Sequence, residues 1–205
     1  MTIMPPKPKF TREEVIAAAL EIVSEKGKQA LTSRDLGARL GSSARPLFTV
    51  FKNMEELQKE VETAALKRFE EYIKKALDYS PAFKQVGVQM IAFSIEEPKL
   101  YQLLFMSENG KAGNFDDVFA RLGEMGPICI EIIQKDYGLN EQQAMALFRH
   151  VWINTFGIGA LCATGVCRFT KEEMIEMLGH DFLAMLIFTK TGGMQLSTPV
   201  PEKEG

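Results

Sequence analysis

Residues 31–53 read LTSRDLGARLGSSARPLFTVFKN, and this stretch decides the fold. Thr32 is a side-chain cap for a short helix carrying Leu36 and Leu40, and Gly41 breaks that helix. Ser42 and Ser43 offer caps for a second short segment running through Phe51. Pro46 falls in its first turn, where a missing N–H costs nothing. Two short helices on either side of a glycine turn predict a helix-turn-helix, the unit that lays its second helix in the major groove of duplex DNA. Leu36, Leu40, Leu47 and Phe51 are spaced to face inward, which turns Ser42, Ser43, Arg45, Thr49 and Lys52 outward.

Upstream, Thr11 with Glu14 three residues on is a capping box, in which side chain and backbone satisfy each other's donors. It opens a helix with the stripe Val15, Ala18, Ala19, Ile22 and Val23, closed by Gly27. The first 53 residues therefore read as three helices of about 17, 8 and 7 residues. Downstream, Asn53 with Glu56 starts a long helix to about Tyr79. Further helices follow at Phe83–Ile95 and Lys99–Met106, on either side of Glu97-Pro98. A loop spans 107–114, and a helix from Asp116 to Tyr137 is expected to break at Gly126-Pro127. Asn140 with Gln143 and Thr170 with Glu173 cap the last two helices, ending near Thr164 and Thr189. With strand signals nearly absent, the expected fold is all-α, about nine helices. A helix-turn-helix head (1–53, with a short basic arm) precedes a larger helical body (54–191) and a disordered polar tail (192–205).

The net charge of −3 hides an asymmetry. Residues 1–53 hold nine Lys/Arg against five Asp/Glu, a net of +4, which leaves −7 on the remainder. A positive end on a negative body orients a molecule toward a phosphate backbone. The three cysteines, odd in number and set among apolar residues, argue against a disulfide framework and fit a reducing cytoplasm. The start MTIMPPKPKF is too short and proline-rich for a secretory signal. The uncharged run Val151–Cys167 is 17 residues long and interrupted by Asn154 and three glycines, so it reads as a buried helix and not a membrane span.

The run from Phe10 to Leu57 resembles the DNA-binding domain of the tetracycline-repressor (TetR) family. The resemblance is carried by Ala17-Ala18-Ala19-Leu20, Gly27, Leu31 through Gly41, Leu47 through Asn53, and Glu55-Glu56-Leu57. It implies a cytoplasmic homodimer that binds palindromic operator DNA and is released by a small molecule. Two departures matter. Phe48 stands where the family has Tyr, removing a phenolic hydroxyl, and Met54 stands where it has Lys. Phosphate contact is therefore expected from Thr49 and Lys52, with Lys59 a weaker candidate. The starts near Thr32 and Ser43 present free backbone N–H groups suited to phosphate. Thr11, Thr32, Ser33, Arg34, Ser42, Ser43, Ala44, Arg45, Pro46, Phe48, Thr49 and Lys52 are the candidate DNA contacts. Arg45 is the leading base reader because its fork matches guanine.

In the body, Phe83, Met90, Phe93, Tyr101, Leu104, Phe105, Phe115, Phe119, Met125, Trp152 and Phe156 are candidates to line a mostly apolar ligand pocket, which the resemblance places near loop 107–114. The same stripe is also what an ordinary core looks like. So few ionisable groups interrupt it that an apolar or aromatic ligand is expected. Gly157, Ala160, Leu161 and Thr164, with Met174, Met177, Leu178, Phe182 and Met185, are the candidate dimer contacts, pairing by a four-helix interface in the resembled family. No enzyme is expected: His150 and His180 lack spaced partners, and Cys162-x-x-x-x-Cys167 lacks zinc spacing, so neither metal nor cofactor is implied. Gly157-Ile-Gly159 is not a phosphate loop. Two alternatives stay open: a DNA-binding regulator controlled by a protein partner without a ligand, or a helical lipophile-binding protein.

Overall fold

The computed structural model describes residues 9–107 and 113–192; the basic arm, the tip of loop 107–114 and the polar tail beyond Gly192 lie outside them. Among the described residues there are nine α-helices, two short 3-10 helices and no strand. The first helix, α1 (Arg12–Lys26), begins on the expected capping box: Thr11 Oγ1 accepts from Glu14 N at 3.1 Å, and Glu14 Oε2 accepts from Thr11 N at 2.8 Å. It stops at Gly27, whose φ of 87° is open to glycine and strained for other residues. A 3-10 turn (Lys28–Ala30) leads to α2 (Ser33–Arg39), capped by Thr32.

The next segment departs from expectation. Ser42 and Ser43 cap nothing; the N-cap position is Ala44, and the segment Arg45–Thr49 is a 3-10 helix of five residues. The Val50 N–H goes to the Leu47 carbonyl at 3.2 Å, the i to i−3 pattern of a 3-10 turn, and Thr49 Oγ1 donates to the Pro46 carbonyl at 2.6 Å. The preceding turn is closed by Ser42 N–H on the Gly37 carbonyl at 2.9 Å. It folds so tightly over α2 that a Cβ on Gly37 would lie 3.0 Å from the Ala44 nitrogen. Gly41 supplies the turn's positive φ of 61°.

Asn53 then caps α3 (Met54–Ala76). The body continues with α4 (Ala82–Glu96), α5 (Pro98–Phe105), α6 (Phe115–Ala120), α7 (Met125–Tyr137), α8 (Glu141–Thr164) and α9 (Lys171–Lys190). The break between α6 and α7 falls at Gly123, φ 55°, and not at Gly126-Pro127. Pro127 is the third residue of α7, in the first turn, where its absent N–H leaves no bond unmade. Helices α4 and α8 form the central pair; α3 lies along α4, α9 crosses both, and α5 is wedged between α1, α3 and α8.

One apolar core runs without interruption from Val15 in α1 to Ala163 in α8. Edge-to-face aromatics knit its middle, with Phe69 5.3 Å from Phe93 and 5.0 Å from Phe105. Tyr101 is fully buried, and its hydroxyl donates to the Phe156 carbonyl at 3.1 Å. That ring fits only because residue 159 is glycine: a Cβ there would sit 2.5 Å from the Tyr101 oxygen. No helix among the described residues is long and apolar enough to cross a membrane.

Candidate nucleic-acid interface and internal cavity

In the head, Leu36, Leu47 and Phe51 are buried against Val15, Ala19 and Ile22, and Leu40 packs on this core half-buried. The opposite side of the 3-10 segment carries Arg45, Phe48, Thr49 and Lys52, all exposed. Thr11, Thr32, Arg34 and Ser43 are exposed as well, while Ser33, Ser42, Ala44 and Pro46 are half-buried. Phe48 points outward at 46% exposure, so it does not belong to the core.

The head's cations divide sharply. Arg39 donates to both Glu21 and Glu25, and these bonds raise its pKa and hold Glu25 below the usual carboxylate range. Arg12 lies over the Phe51 ring, 4.2 Å from its centroid. It donates to the Val50 carbonyl at 2.7 Å, to Glu56 at 2.8 Å and to Glu60 at 2.9 Å. Lys28 Nζ stands 3.0 Å from Glu62. By contrast Arg34, Arg45 and Lys52, like Lys26 in the last turn of α1, form no ion pair among the described residues.

Three polar ties fasten the head to the body. Besides Arg12 and Lys28, Ser24 Oγ donates to Glu97 Oε2 at 2.7 Å, and Glu97 is also ion-paired with Arg68 of α3. Glu56 accepts the Lys52 backbone N–H at 2.7 Å as well as Arg12, and these bonds, the backbone one first, hold its carboxyl below the ordinary range.

A cavity of about 570 Å³ opens in the body between α3, α5, α6 and α8. Of the sequence candidates, Leu104, Phe105, Phe115, Trp152 and Phe156 line it. Phe83, Met90, Phe93, Tyr101 and Met125 lie in the core away from it, and Phe119 packs on that core beside Phe148, 5.4 Å between centroids. The lining also includes Leu66, Leu103, Val118, Leu122 and Ile153, and four polar residues that the aromatic stripe did not point to: Lys59, Glu62, Thr63 and Arg121. On α3, positions 59, 62, 63 and 66 share one face, a spacing visible in the sequence but equally suited to a solvated side.

The candidate dimer residues of α9 face their own chain. Leu178 is buried with Ile91 and Ile158, flanked by Met174 and Met177. Phe182 packs 5.0 Å from Tyr137, and Met185 rests on the main core. The outward apolar residues of α9 are Ile175, Leu183, Ile187 and Phe188, and on α8 Leu161 is exposed while Gly157 meets open space. Ala160 is half-buried and Thr164 exposed, its hydroxyl donating to the Ala160 carbonyl at 2.6 Å.

An inward-locked helix pair presenting an outward polar and cationic 3-10 segment has the arrangement of a helix-turn-helix unit. Residues 15–61 match the family model described as bacterial regulatory proteins, tetR family. The members of this family are transcriptional regulators rather than enzymes. The fold is shared with a protein described as a TetR-family transcriptional regulator from Vibrio parahaemolyticus, at TM-score 0.58 and 15% identity over 84% of this chain and 97% of that one. A TetR-like regulator from Rhodococcus sp. RHA1 aligns at TM-score 0.57 and 17% identity, covering 92% of this chain and 100% of that one. A TetR-family regulator from Mesorhizobium loti aligns at 0.54 and 19%, covering 86% and 95%. No curated protein matches the chain.

Proposed function

We propose that this protein is a ligand-responsive repressor that binds palindromic operator DNA as a homodimer in the cytoplasm and is not an enzyme. Residues 1–53 act as the reading head and 54–191 as the sensing and pairing body. The observation that carries the reading is the sorting of the head's cations. Arg12, Lys28 and Arg39 are spent on internal carboxylates, while Arg34, Arg45 and Lys52 are exposed and form no ion pair among the described residues. Arg45 suits a guanine edge, and Lys52, Thr49, Thr32 and the half-buried serines suit phosphates.

Pairing is supported by the exposed apolar side of α9, where Ile175, Leu183 and Ile187 recur with Gly179 at i+4 steps. Such a ridge covers itself against a second copy, and a twofold pair supplies two heads for a palindrome. Ligand response is supported by the cavity together with one contact: Glu62 lines it, and the same carboxylate holds Lys28 of the head at 3.0 Å. A molecule that shifts α3 at Glu62 changes the setting of the head, and so the spacing between two heads.

The test is selection of bound duplexes from a random library, followed by footprinting of the enriched sequence. A short inverted repeat bound by a dimer, with affinity falling steeply with salt, is the expected result. Absence of salt-dependent binding to any duplex overturns the reading.

A further inference from the structure

Exposure sorts the cavity's lining into a floor and a mouth. Leu103, Leu122 and Trp152 are buried, whereas Lys59, Thr63 and Arg121 are exposed. Along α3 the wall changes from charged at Lys59 and Glu62 to apolar at Leu66 within two turns. The charges at this mouth do not cancel. Glu62, the one carboxylate of the lining, is already bridged to Lys28. The Thr63 hydroxyl donates to the Lys59 carbonyl at 3.0 Å and so offers no free donor. Lys59 on α3 and Arg121 at the end of α6 form no ion pair among the described residues. Two cations thus stand at the rim of an apolar chamber without a counter-charge of their own.

We infer that the cavity takes an amphipathic monocarboxylate, its apolar chain or ring system on Trp152 and the floor and its carboxylate at the mouth with Lys59 and Arg121. This rests on the reading above that the cavity binds a small molecule, and names the chemistry of that molecule. The arrangement avoids the cost of burying a charge, because the anion stays at a solvated rim while only hydrocarbon goes inside. It also gives Arg121 a planar partner for its guanidinium fork.

Trp152 is the only tryptophan of the chain and lines the cavity, so its fluorescence reports occupancy directly. The full-length protein is titrated with decanoate, decanol and decylamine, each below its aggregation limit. Decanoate is expected to saturate the Trp152 signal with an affinity about tenfold above that of decanol, the sum of two rim ion pairs, and decylamine to bind more weakly than both. The double variant Lys59→Gln/Arg121→Gln changes two exposed side chains outside the core; it is expected to melt like the parent, to bind decanol unchanged and to lose the preference for decanoate. Equal binding of decanol and decanoate, tightest binding of decylamine, or a preference that survives in the double variant overturns the carboxylate assignment and leaves the cavity a ligand site. No saturable response to any of the three probes sinks that assignment together with the small-molecule reading.

Discussion

Ser24 of α1 and Glu97, the residue between α4 and α5, are joined by a 2.7 Å hydrogen bond across the junction of head and body. Glu97 is 7% exposed and also carries Arg68, so one carboxylate fastens three helices. Removing the hydroxyl in Ser24→Ala costs about 1.5–3 kcal/mol, as for a hydrogen bond to a charged acceptor. In a chain of this length that lowers the thermal midpoint by roughly 3–12 °C. Glu97→Ala strands both Ser24 and Arg68 and is expected to cost more. Thermal unfolding followed by circular dichroism checks this, and two unchanged midpoints would remove the junction from the stability of the molecule.

Arg45 and Lys52 are both exposed and without an ion pair among the described residues, yet their expected roles differ. Arg45→Ala is expected to cost roughly 1–3 kcal/mol at the selected operator and to relax preference at one base position. Lys52→Ala is expected to weaken all duplexes alike and to flatten the dependence of affinity on salt by about one ion. Competition binding across a salt series separates them; a variant of Arg45 with unaltered base preference would strip it of its reading role.

Two glycines two residues apart in α8 give opposite results on adding a methyl group. At Gly159 the new Cβ meets the oxygen of buried Tyr101 at 2.5 Å, so Gly159→Ala forces the ring or the helix to move, at about 1–3 kcal/mol. At Gly157 nothing lies within 4 Å, so Gly157→Ala leaves the single chain intact and adds about 0.5–1 kcal/mol of helix propensity. Urea unfolding of the two variants measures the difference, and equal midpoints would contradict the packing described for Tyr101.

Substitution on the outer ridge of α9 tests pairing without touching the core. Leu183 is 55% exposed, and Leu183→Glu is expected to shift the protein from dimer to monomer in sedimentation while leaving its helix content unchanged. A variant that stays dimeric would place the interface on another face.

Acid should loosen the head. Glu56 and Glu25 both titrate below the ordinary carboxylate value of 4.5, Glu56 through the Lys52 N–H and Arg12, Glu25 through Arg39. A depressed folded-state pKa contributes stability above the unfolded value, and that contribution disappears as pH falls through the folded one. Stability of the head is therefore expected to decline below about pH 4.5, and Glu56→Gln to flatten that decline. Amide exchange in residues 12–52 at pH 6 and pH 3.5 reads it out; identical profiles for variant and parent would count against Glu56.

Much of the fold was legible because helix starts are written locally. Thr11 with Glu14, Asn140 with Gln143 and Thr170 with Glu173 are capping boxes in the sequence and in the structure. The break before α7 was misplaced because Gly126-Pro127 is a stronger local signal than Gly123, yet a proline in a first turn breaks nothing. The 3-10 form of the Arg45–Thr49 segment rests on the Val50 N–H taking the Leu47 carbonyl three residues back, a choice of partner that residue spacing does not reveal. The cavity was half legible. Phe105 and Trp152 line it while Phe93 and Tyr101 fill the core, and all four look alike as aromatic residues on helices. Periodicity reports which side of a helix is apolar and not whether the neighbour opposite leaves a space.

The brevity of the segment between Ala44 and Val50 limits how much text one head can take in. Five residues of 3-10 helix extend about 10 Å, the length of about three base-pair steps. Under the proposed pairing, so few letters per copy would leave discrimination among genomic sites to duplication: the distance and phase between two short words would carry the message, and a movement of α3 that altered that distance would change which sites are recognised.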